Sequence, residues 1–389
     1  MIIKKLFSKL FDRNTNYPVI LYPNTKQVRG RVLFSYLQNP LLFEDDDKRL
    51  NKHSNNWESR EIARLFCDLG FIVDAVNWRD ETFVPSVKYS VIFDIFTNLQ
   101  RIAPFLDRDT LKILHITGSY PYYQNEEEMK RVNSLNIRRN EDYAPRRQVI
   151  NSDLYRRSIE LSDACSLIGN EYTLNTFPEE FRNKIECVTV SSSYTGLAEA
   201  NLNFISKKRE FLWFFGSGAV HKGLDLLLEV FSKHRNLTLN IVGNVDFEKD
   251  FWEIYEYELT KLDNIRYHGY LDPSSTEFKK IFSDIFCFIA PSCSEGISPA
   301  VTTCMQLGLY PVISRSTGVN LPAGFGVYLE ECSMGEIENA VLKVYNMRDA
   351  DIKAQICKIK EYAEKHYSRK AFHNKMENFI KNTLIKYNL

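Results

Sequence analysis

The segment SEGISPA, residues 294–300, combines a carboxylate, a glycine and a helix start. Ser298 is a favourable N-cap and Pro299 suits the first helical position, so the amides of the first turn are free to bind an anion. Glu295 would repel a phosphate, but its carboxylate can accept hydrogen bonds from two vicinal sugar hydroxyls. Together these groups predict a nucleotide-sugar site; the alternative is a solvated glutamate in an ordinary loop.

A second loop, in FFGSGAVHKGLDLLLEVF (214–231), brings a lysine to a helix start. Lys222 would oppose the helix dipole unless an anion compensates, which favours a phosphate contact over a merely solvated lysine. The dinucleotide fingerprint fails because His221 stands where a third glycine is needed, and the P-loop fails because Leu224 replaces its lysine. Gly216, Ser217 and Gly218 complete the turn.

Three candidates lie in the first half of the chain. His115, in ILHITG, falls near the carboxyl end of a predicted strand, where it could face a ligand or be a satisfied core residue. Asn55 and Asn56, in NNWE, could hydrogen-bond a sugar or cap a helix.

The charged residues of this half also allow both a functional and a structural interpretation. Arg138, Arg139, Arg146 and Arg147 form a basic cluster that could meet an anionic acceptor such as a lipid-linked diphosphate, or could lie on a solvated helix face. Asn125 is predicted to cap the helix that starts in NEEEMKR. Acidic EDDD, residues 44–47, resembles a metal motif but lies in a charged loop, and no His or Cys cluster has zinc-ligand spacing, so we predict no metal and no cofactor.

These residues lie on alternating strands and helices, which predict an α/β fold of two doubly wound, Rossmann-like domains with a cleft between them. We place the domains at 1–195 (acceptor side) and 196–389 (donor side), with a helical C-terminal tail whose last helices pack back on the first domain. Ligands in such sheets bind outside the carboxyl ends of the strands. The predicted strands are 31–37, 71–78, 89–96, 111–118, 163–169, 185–191, 211–217, 237–243, 265–271, 285–290 and 310–314.

Composition limits the class of protein. The 389 residues exceed the roughly 250–300 that one core can serve. Lys plus Arg and Asp plus Glu both number 50, so no overall field attracts nucleic acid. Eight cysteines without a CxxC pair, and no secretory signal, predict a cytoplasmic protein. Residues 1–14 could form an amphipathic helix on the inner membrane surface, or a frayed terminal helix.

Four segments resemble the GT-B-fold glycosyltransferases of glycosyltransferase family 4 / group 1, the bacterial surface-polysaccharide type. They are FFGSGAVHKGLDLLLEVF, LNIVG, IRYHGYL and SEGISPAVTTCMQLGLYPVIS. By this resemblance Glu295 contacts the donor sugar and Lys222 neutralises the donor diphosphate. Gly296, Ile297, Ser298, Pro299 and Ala300 present backbone to the sugar and phosphate, and Gly216, Gly218 and Gly243 line the same site.

The sequence departs from the family pattern at two places. Thr303 stands where a second glutamate usually holds the ribose, and Ser217 stands where an arginine usually meets the diphosphate. The resemblance implies a retaining, metal-independent hexosyltransferase that passes a sugar from a nucleotide diphosphate sugar to a glycan or lipid-linked glycan acceptor. Its processes would include lipopolysaccharide and capsule synthesis. The alternatives are a nucleotide-sugar epimerase and a non-catalytic sugar-nucleotide-binding protein.

Overall fold

A computed structural model describes residues 18–193, 209–273, 275–282 and 284–389 of the chain. The amphipathic segment 1–14 and most of the predicted linker at 191–210 lie outside these residues. The described chain forms two compact units, each built on one largely parallel sheet covered by helices. The predicted α/β class with two Rossmann-like units is confirmed.

The first unit holds a seven-stranded sheet in the order β1-β3-β2-β4-β5-β6-β7. All its pairs are parallel except that of β1 with β3. Val91, Ile92 and Phe93 of β4 are fully buried, as expected of a strand covered on both faces. The strands are β1 Val19–Leu21, β2 Gly30–Tyr36, β3 Phe71–Asn77, β4 Val91–Asp94, β5 Leu111–Ile116, β6 Ala164–Ile168 and β7 Ile185–Val188.

The helices of this unit come from three stretches of the chain. They are α1 Arg49–Lys52, α2 Ser54–Asp68, α3 Asn98–Ile102, α5 Ser152–Leu161, α6 Glu171–Asn175, α7 Glu179–Arg182 and α15 Arg369–Lys386. In α2 the buried side chains of Ile62, Leu65 and Phe66 share one face, and Gly70 follows its end with φ 92°. Helix α15 packs against α2 and β7, so the end of the chain completes the first sheet unit.

The second unit holds a six-stranded, wholly parallel sheet in the order β10-β9-β8-β11-β12-β13. Its strand order reverses between β8 and β11, which makes that pair the topological switch point, where open α/β sheets bind ligands. The strands are β8 Glu210–Phe214, β9 Leu239–Val242, β10 Ile265–Tyr267, β11 Ile285–Ala290, β12 Tyr310–Ser314 and β13 Val327–Leu329.

Helices of the second unit include one from the first half of the sequence. They are α4 Pro121–Arg139, α8 Leu224–Lys233, α9 Lys249–Ile254, α10 Glu256–Lys261, α11 Thr276–Phe282, α12 Pro299–Gln306, α13 Met334–Tyr345 and α14 Asp349–Tyr367. No helix in the described ranges is both long and apolar enough to cross a membrane.

The unit boundaries differ from a single division at 195/196. Segment Gly118–Val149 belongs to the second unit, and Arg369–Leu389 belongs to the first. The placement of α4 has a clear physical cause, because its basic C-terminal turn meets acidic side chains of α8 and α10. The order of strands and helices along the sequence does not reveal that a segment from one half of the chain belongs to the unit formed by the other half.

Helix α4 also corrects one predicted start. It begins at Pro121, with Tyr120 at the N-cap, four residues before Asn125. The Asn125 side chain instead accepts from Val149 N at 2.7 Å and donates to Val149 O at 3.1 Å. Lys130 lies 2.8 Å from Glu126, as the i,i+4 spacing predicts.

Candidate functional site

Lys222 and Glu295 meet in the second unit and form an ion pair. Each follows a strand of the switch-point pair: Lys222 lies in the loop after β8, and Glu295 in the loop after β11. Their side chains are 7% and 14% exposed, so the pair is largely withdrawn from water. Glu295 also accepts from Ser292 Oγ at 3.3 Å. The two residues singled out in separate sequence segments thus share one site.

Glycine at 223 lets the first loop turn sharply into α8. Gly223 is the N-cap of α8 with φ 71°, in the left-handed region. A Cβ there would lie 2.6 Å from Pro291 Cγ and 2.7 Å from Pro291 O, so a side chain would collide with the second loop. This close approach brings the two loops together.

Hydrogen bonds also join the two loops. His221 Nε2 lies 2.6 Å from the carbonyl oxygen of Ser294, and Cys293 N donates to His221 O at 2.9 Å. Ser314 Oγ, at the end of β12, donates to Ser292 O at 2.7 Å. The position of Glu295 relative to Lys222 is therefore set by backbone contacts as well as by their ion pair.

Burial controls the charges in this site. Desolvation holds the pKa of Lys222 below its usual value, although the neighbouring Glu295 carboxylate acts in the opposite direction. Burial also lowers the pKa of His221 well below its usual range, with the nearby Lys222 charge adding to the effect. His221 is therefore neutral at physiological pH. Lys222 lies between the two loops, and a second cation, Arg131 of α4, donates from Nη1 to Pro291 O at 3.1 Å.

Helix α12 begins as predicted, with Ser298 at its N-cap and Pro299 first in the helix. Ser298 makes no side-chain cap; its amide donates to Thr317 O at 2.9 Å. Within the described ranges, the amides of Ile297 and Ala300 make no hydrogen bond. With Gly296 buried beside them, these amides can donate hydrogen bonds to an oxygen atom of a ligand.

Two amides of the glycine-rich turn donate hydrogen bonds to a carboxylate of the same unit. The carboxylate of Glu248 accepts from Gly218 N at 2.5 Å and from Ala219 N at 3.1 Å, and it also accepts from the Tyr143 hydroxyl. Gly216 and Ser217 remain exposed at the tip of the turn. The Gly218 amide is therefore already hydrogen-bonded to the Glu248 carboxylate.

Thr303 is fully buried in α12, and its hydroxyl accepts from Ser193 N at 3.0 Å. A short hydroxyl held in this way is poorly suited to grip a ribose. Gly243 follows β9, and its amide donates to Gly269 O. A Cβ on Gly243 would lie 2.2 Å from Phe215 O, so this residue fixes the approach of the β8 and β9 ends.

His115 lies in the first unit, inside β5, and is fully buried. Its ring stacks on Phe93, and its Nδ1 lies 2.8 Å from Ser166 Oγ. Desolvation lowers the pKa of His115 to about 3, so the imidazole is neutral. These contacts favour the core alternative over the catalytic role.

Asn55 and Asn56 lie in the first turn of α2, which His53 caps. The Asn56 side chain donates to Arg49 O at 2.9 Å, while Asn55 is half-buried. Glu58, in the same NNWE segment, is fully buried and accepts from Ser191 N at 2.7 Å and Ser191 Oγ at 2.8 Å. Burial raises the pKa of Glu58 to about 7 despite these bonds.

Arg138 and Arg139 belong to the second unit, where both form ion pairs. Arg138 lies 2.6 Å from Asp225, and Arg139 lies 2.6 Å from Glu258, with Glu229 close to both. These contacts favour a structural role over acceptor binding, which stays a prediction.

The acidic run at 44–47 is also paired. Asp45 contacts Arg60 and Arg64, and Asp47 contacts Arg49. Among the described residues no group of three His, Cys, Asp or Glu side chains is arranged to hold a metal ion.

Two largely parallel, Rossmann-like sheets define the class of fold as GT-B. Residues 209–346, from the start of β8 through α13, match the family model described as glycosyl transferases group 1. A search of curated proteins found no sequence match.

Solved structures resemble most of the chain at low sequence identity. Sucrose-phosphate synthase from Thermosynechococcus elongatus matches with TM-score 0.64 and 13% identity, over 91% of this chain and 99% of that one. Anabaena HepE, solved with UDP and glucose, matches with TM-score 0.55 and 12% identity, over 92% and 100%. WaaG, a glycosyltransferase involved in lipopolysaccharide biosynthesis, matches with TM-score 0.54 and 11% identity, over 91% and 99%. These likenesses establish the fold.

Sequence reasoning missed two acids that shape the site. Glu248 follows a helical turn after β9, at a position that no pattern distinguishes from a solvated charge. Glu128 lies in the acidic run of α4, yet it is 1% exposed and accepts from Arg146 N and Arg147 N. Both acids bind backbone amides of loops far away in sequence, so their role depends on the tertiary fold.

Proposed function

We propose that the chain transfers a sugar from a nucleoside diphosphate sugar to an acceptor hydroxyl. The observation that carries this proposal is the buried Lys222–Glu295 pair at the switch point of the second sheet. A cation and a carboxylate lie there, and the carboxylate belongs to the loop that leads into α12. The match of residues 209–346 to group 1 glycosyl transferases supports the same activity.

In this mechanism the donor separates Lys222 from Glu295. The diphosphate takes the Lys222 ammonium and the free amides at Ile297 and Ala300, and Glu295 turns to the sugar hydroxyls. Positive charge held in a desolvated site stabilises the departing diphosphate, so catalysis rests on positioning and electrostatics. Lys222 and the helix amides supply that charge from the protein itself.

The finer features of the reaction rest on the family resemblance. They are retention of configuration at the sugar, a glycan or lipid-linked glycan acceptor, and work on the cytoplasmic side of a membrane. The complex of Anabaena HepE with UDP and glucose supports a uridine nucleotide as the first donor to try. WaaG supports surface-glycan acceptors as the first acceptors to try.

A thermal-shift panel of uridine, guanosine, adenosine and thymidine diphosphate sugars tests the donor site. We expect one nucleotide class to raise Tm by several degrees, because a ligand at 100 times its Kd adds about 2.7 kcal/mol. Mixing that donor with an acceptor library, followed by mass spectrometry, tests transfer. No shift from any donor would remove the proposal.

The same assays separate the alternatives. An epimerase would interconvert donor sugars without an acceptor, and a binding protein would give a shift with no product in any acceptor screen. The burial of Thr303 supports the alternative of a binding protein. Its hydroxyl accepts from Ser193 N, so the residue at the position usually used for ribose is engaged within the protein.

A further inference from the structure

The predicted diphosphate site lacks one charge. Ser217, at the exposed tip of the glycine-rich turn, carries no charge, and the Lys222 ammonium is already matched by the Glu295 carboxylate. His221 is neutral and cannot help. The Arg131 guanidinium is also engaged, because its Nη1 donates to Pro291 O at 3.1 Å. A diphosphate carries at least two negative charges, so the site needs a further cation within reach of the glycine-rich turn.

Arg147 lies over that turn, within the same unit. Gly218 has φ 85°, and a Cβ built on it would lie 2.9 Å from Arg147 Cγ and 3.1 Å from Arg147 Cδ. The aliphatic stem of Arg147 therefore crosses the residue next to Ser217. Its positive charge is close enough to contribute to the lowered pKa of both Lys222 and His221.

Two hydrogen bonds hold the backbone of Arg147, whereas its guanidinium has no partner among the described residues. Arg147 N donates to the buried Glu128 at 2.7 Å, and Arg147 O accepts from Gln124 Nε2 at 2.6 Å. Arg138, Arg139 and Arg146 all pair with carboxylates. In the described part of the chain the Arg147 guanidinium has no hydrogen bond or ion pair, and the side chain is exposed.

We propose that Arg147 binds the donor diphosphate and supplies the charge that Ser217 does not. The inference rests on the proposed function and names a further binding residue for the same site. A guanidinium suits this task because its donors can bind phosphate oxygens in a bidentate way. The segment after α4 would then serve as part of the donor site.

The test uses isothermal titration of the full-length protein with UDP, GDP, ADP and TDP. Arg147→Gln keeps the stem that packs over Gly218 and removes only the charge. For whichever nucleotide binds, we expect this variant to lose roughly 10- to 100-fold in affinity. The slope of affinity against salt should become shallower. The matched control is Arg146→Gln, since its neighbouring guanidinium pairs with Asp250, and its affinity should stay within about twofold.

A rescue experiment excludes a merely structural effect. Ser217 is exposed, so Ser217→Arg can add a guanidinium at the tip of the glycine-rich turn without displacing a core residue. In the Arg147→Gln background it should restore most of the lost diphosphate affinity.

Three results would overturn the inference. Unchanged diphosphate affinity in Arg147→Gln, or an equal loss in Arg146→Gln, would refute the role of Arg147 and leave the proposed function standing. Failure of the wild-type protein to bind any of the four nucleotides would remove the proposed function, and this inference with it.

Discussion

The buried Lys222–Glu295 pair is the residue-scale feature on which the site depends. Each side chain compensates for the burial of the other, so removal of one leaves a desolvated charge without its partner. A charge-neutral replacement of both avoids that penalty. Stability and function should therefore respond differently to single and double substitutions.

We expect Lys222→Met and Glu295→Gln each to destabilise the protein, by about 3–5 kcal/mol at most, and the double variant to recover much of that loss. All three should lose donor turnover, with Lys222→Met lowering kcat by roughly 10²–10³-fold. Urea unfolding and a transfer assay measure the two effects. Additive stability losses would show that the two residues are not coupled.

Glu58 gives a pH dependence with a definite sign. Burial raises its pKa to about 7 in the folded state, so the folded protein binds its proton more tightly than the unfolded chain does. That stabilisation is complete below the unfolded pKa near 4.5 and is lost as pH rises through about 7. The full change is on the order of 3 kcal/mol.

Comparison with Glu58→Gln isolates this group. Over pH 5 to 8 the wild-type free energy of unfolding should fall relative to that of the variant, whose side chain does not titrate. Chemical denaturation at each pH provides the measurement. Parallel curves for the two proteins would show that Glu58 is ionised in the folded state throughout.

At the scale of elements, helix α4 is held to α8 and α10 by buried charge. Arg138 is the hydrogen-bond partner of Asp225, which is fully buried and whose pKa is raised by that burial. Arg138→Met should therefore destabilise the second unit by about 3–5 kcal/mol.

The exposed pair of Arg146 with Asp250 offers a matched comparison for Arg138. Arg146→Met should cost less than about 1 kcal/mol, because both its groups are solvated. Denaturation followed by tryptophan fluorescence measures both variants. Equal effects would contradict the importance that we assign to burial.

Element order could be read from the sequence because long apolar runs mark buried parallel strands. Strands β1 and β13 were missed, since each has three residues and neither stands out from its loop. The helical stretch after β9 is divided into α9 and α10, which meet at Tyr255. Such breaks come from tertiary packing, as does the buried T-shaped contact of Tyr143 with Phe251 nearby.

At the scale of the whole molecule, both units are discontinuous in sequence. Helix α15 buries Phe372, Met376, Phe379, Ile380 and Leu384 in the first unit. Full burial of five such side chains contributes roughly 8–15 kcal/mol, similar to the total stability of a domain. Deletion of residues 369–389 should therefore unfold the first unit, although its sheet lies more than 170 residues upstream.

Hydrogen exchange with mass spectrometry can follow each unit after this deletion. We expect β2 to β6 to lose protection. Retained protection of these strands would show that the C-terminal helix is dispensable. A deletion of Tyr387–Leu389 alone serves as the control. It removes two peripheral hydrogen bonds, from Tyr387 to Asp163 O and from Arg29 to Leu389 O, but none of the apolar side chains of α15, so protection of β2 to β6 should be kept.

Residues of the candidate site could be predicted where a local sequence pattern marks them, and could not where their position depends on the tertiary fold. Lys222, Glu295 and the start of α12 could be found because a charge beside a helix start has a recognisable pattern. Glu248 could not, because its position against the glycine-rich turn depends on a segment 30 residues away. Arg147 belonged to the predicted basic cluster, but its place over Gly218 depends on the tertiary fold. His115 shows the converse: a residue type suited to catalysis lies in the core.

The most direct measurement is a crystal structure of the protein with the nucleoside diphosphate sugar that the thermal-shift panel selects. We expect the diphosphate within hydrogen-bond distance of Lys222 Nζ and the Ala300 amide, and Glu295 released from Lys222 to bind sugar hydroxyls. A donor bound elsewhere, with the Lys222–Glu295 pair still closed, would contradict the account.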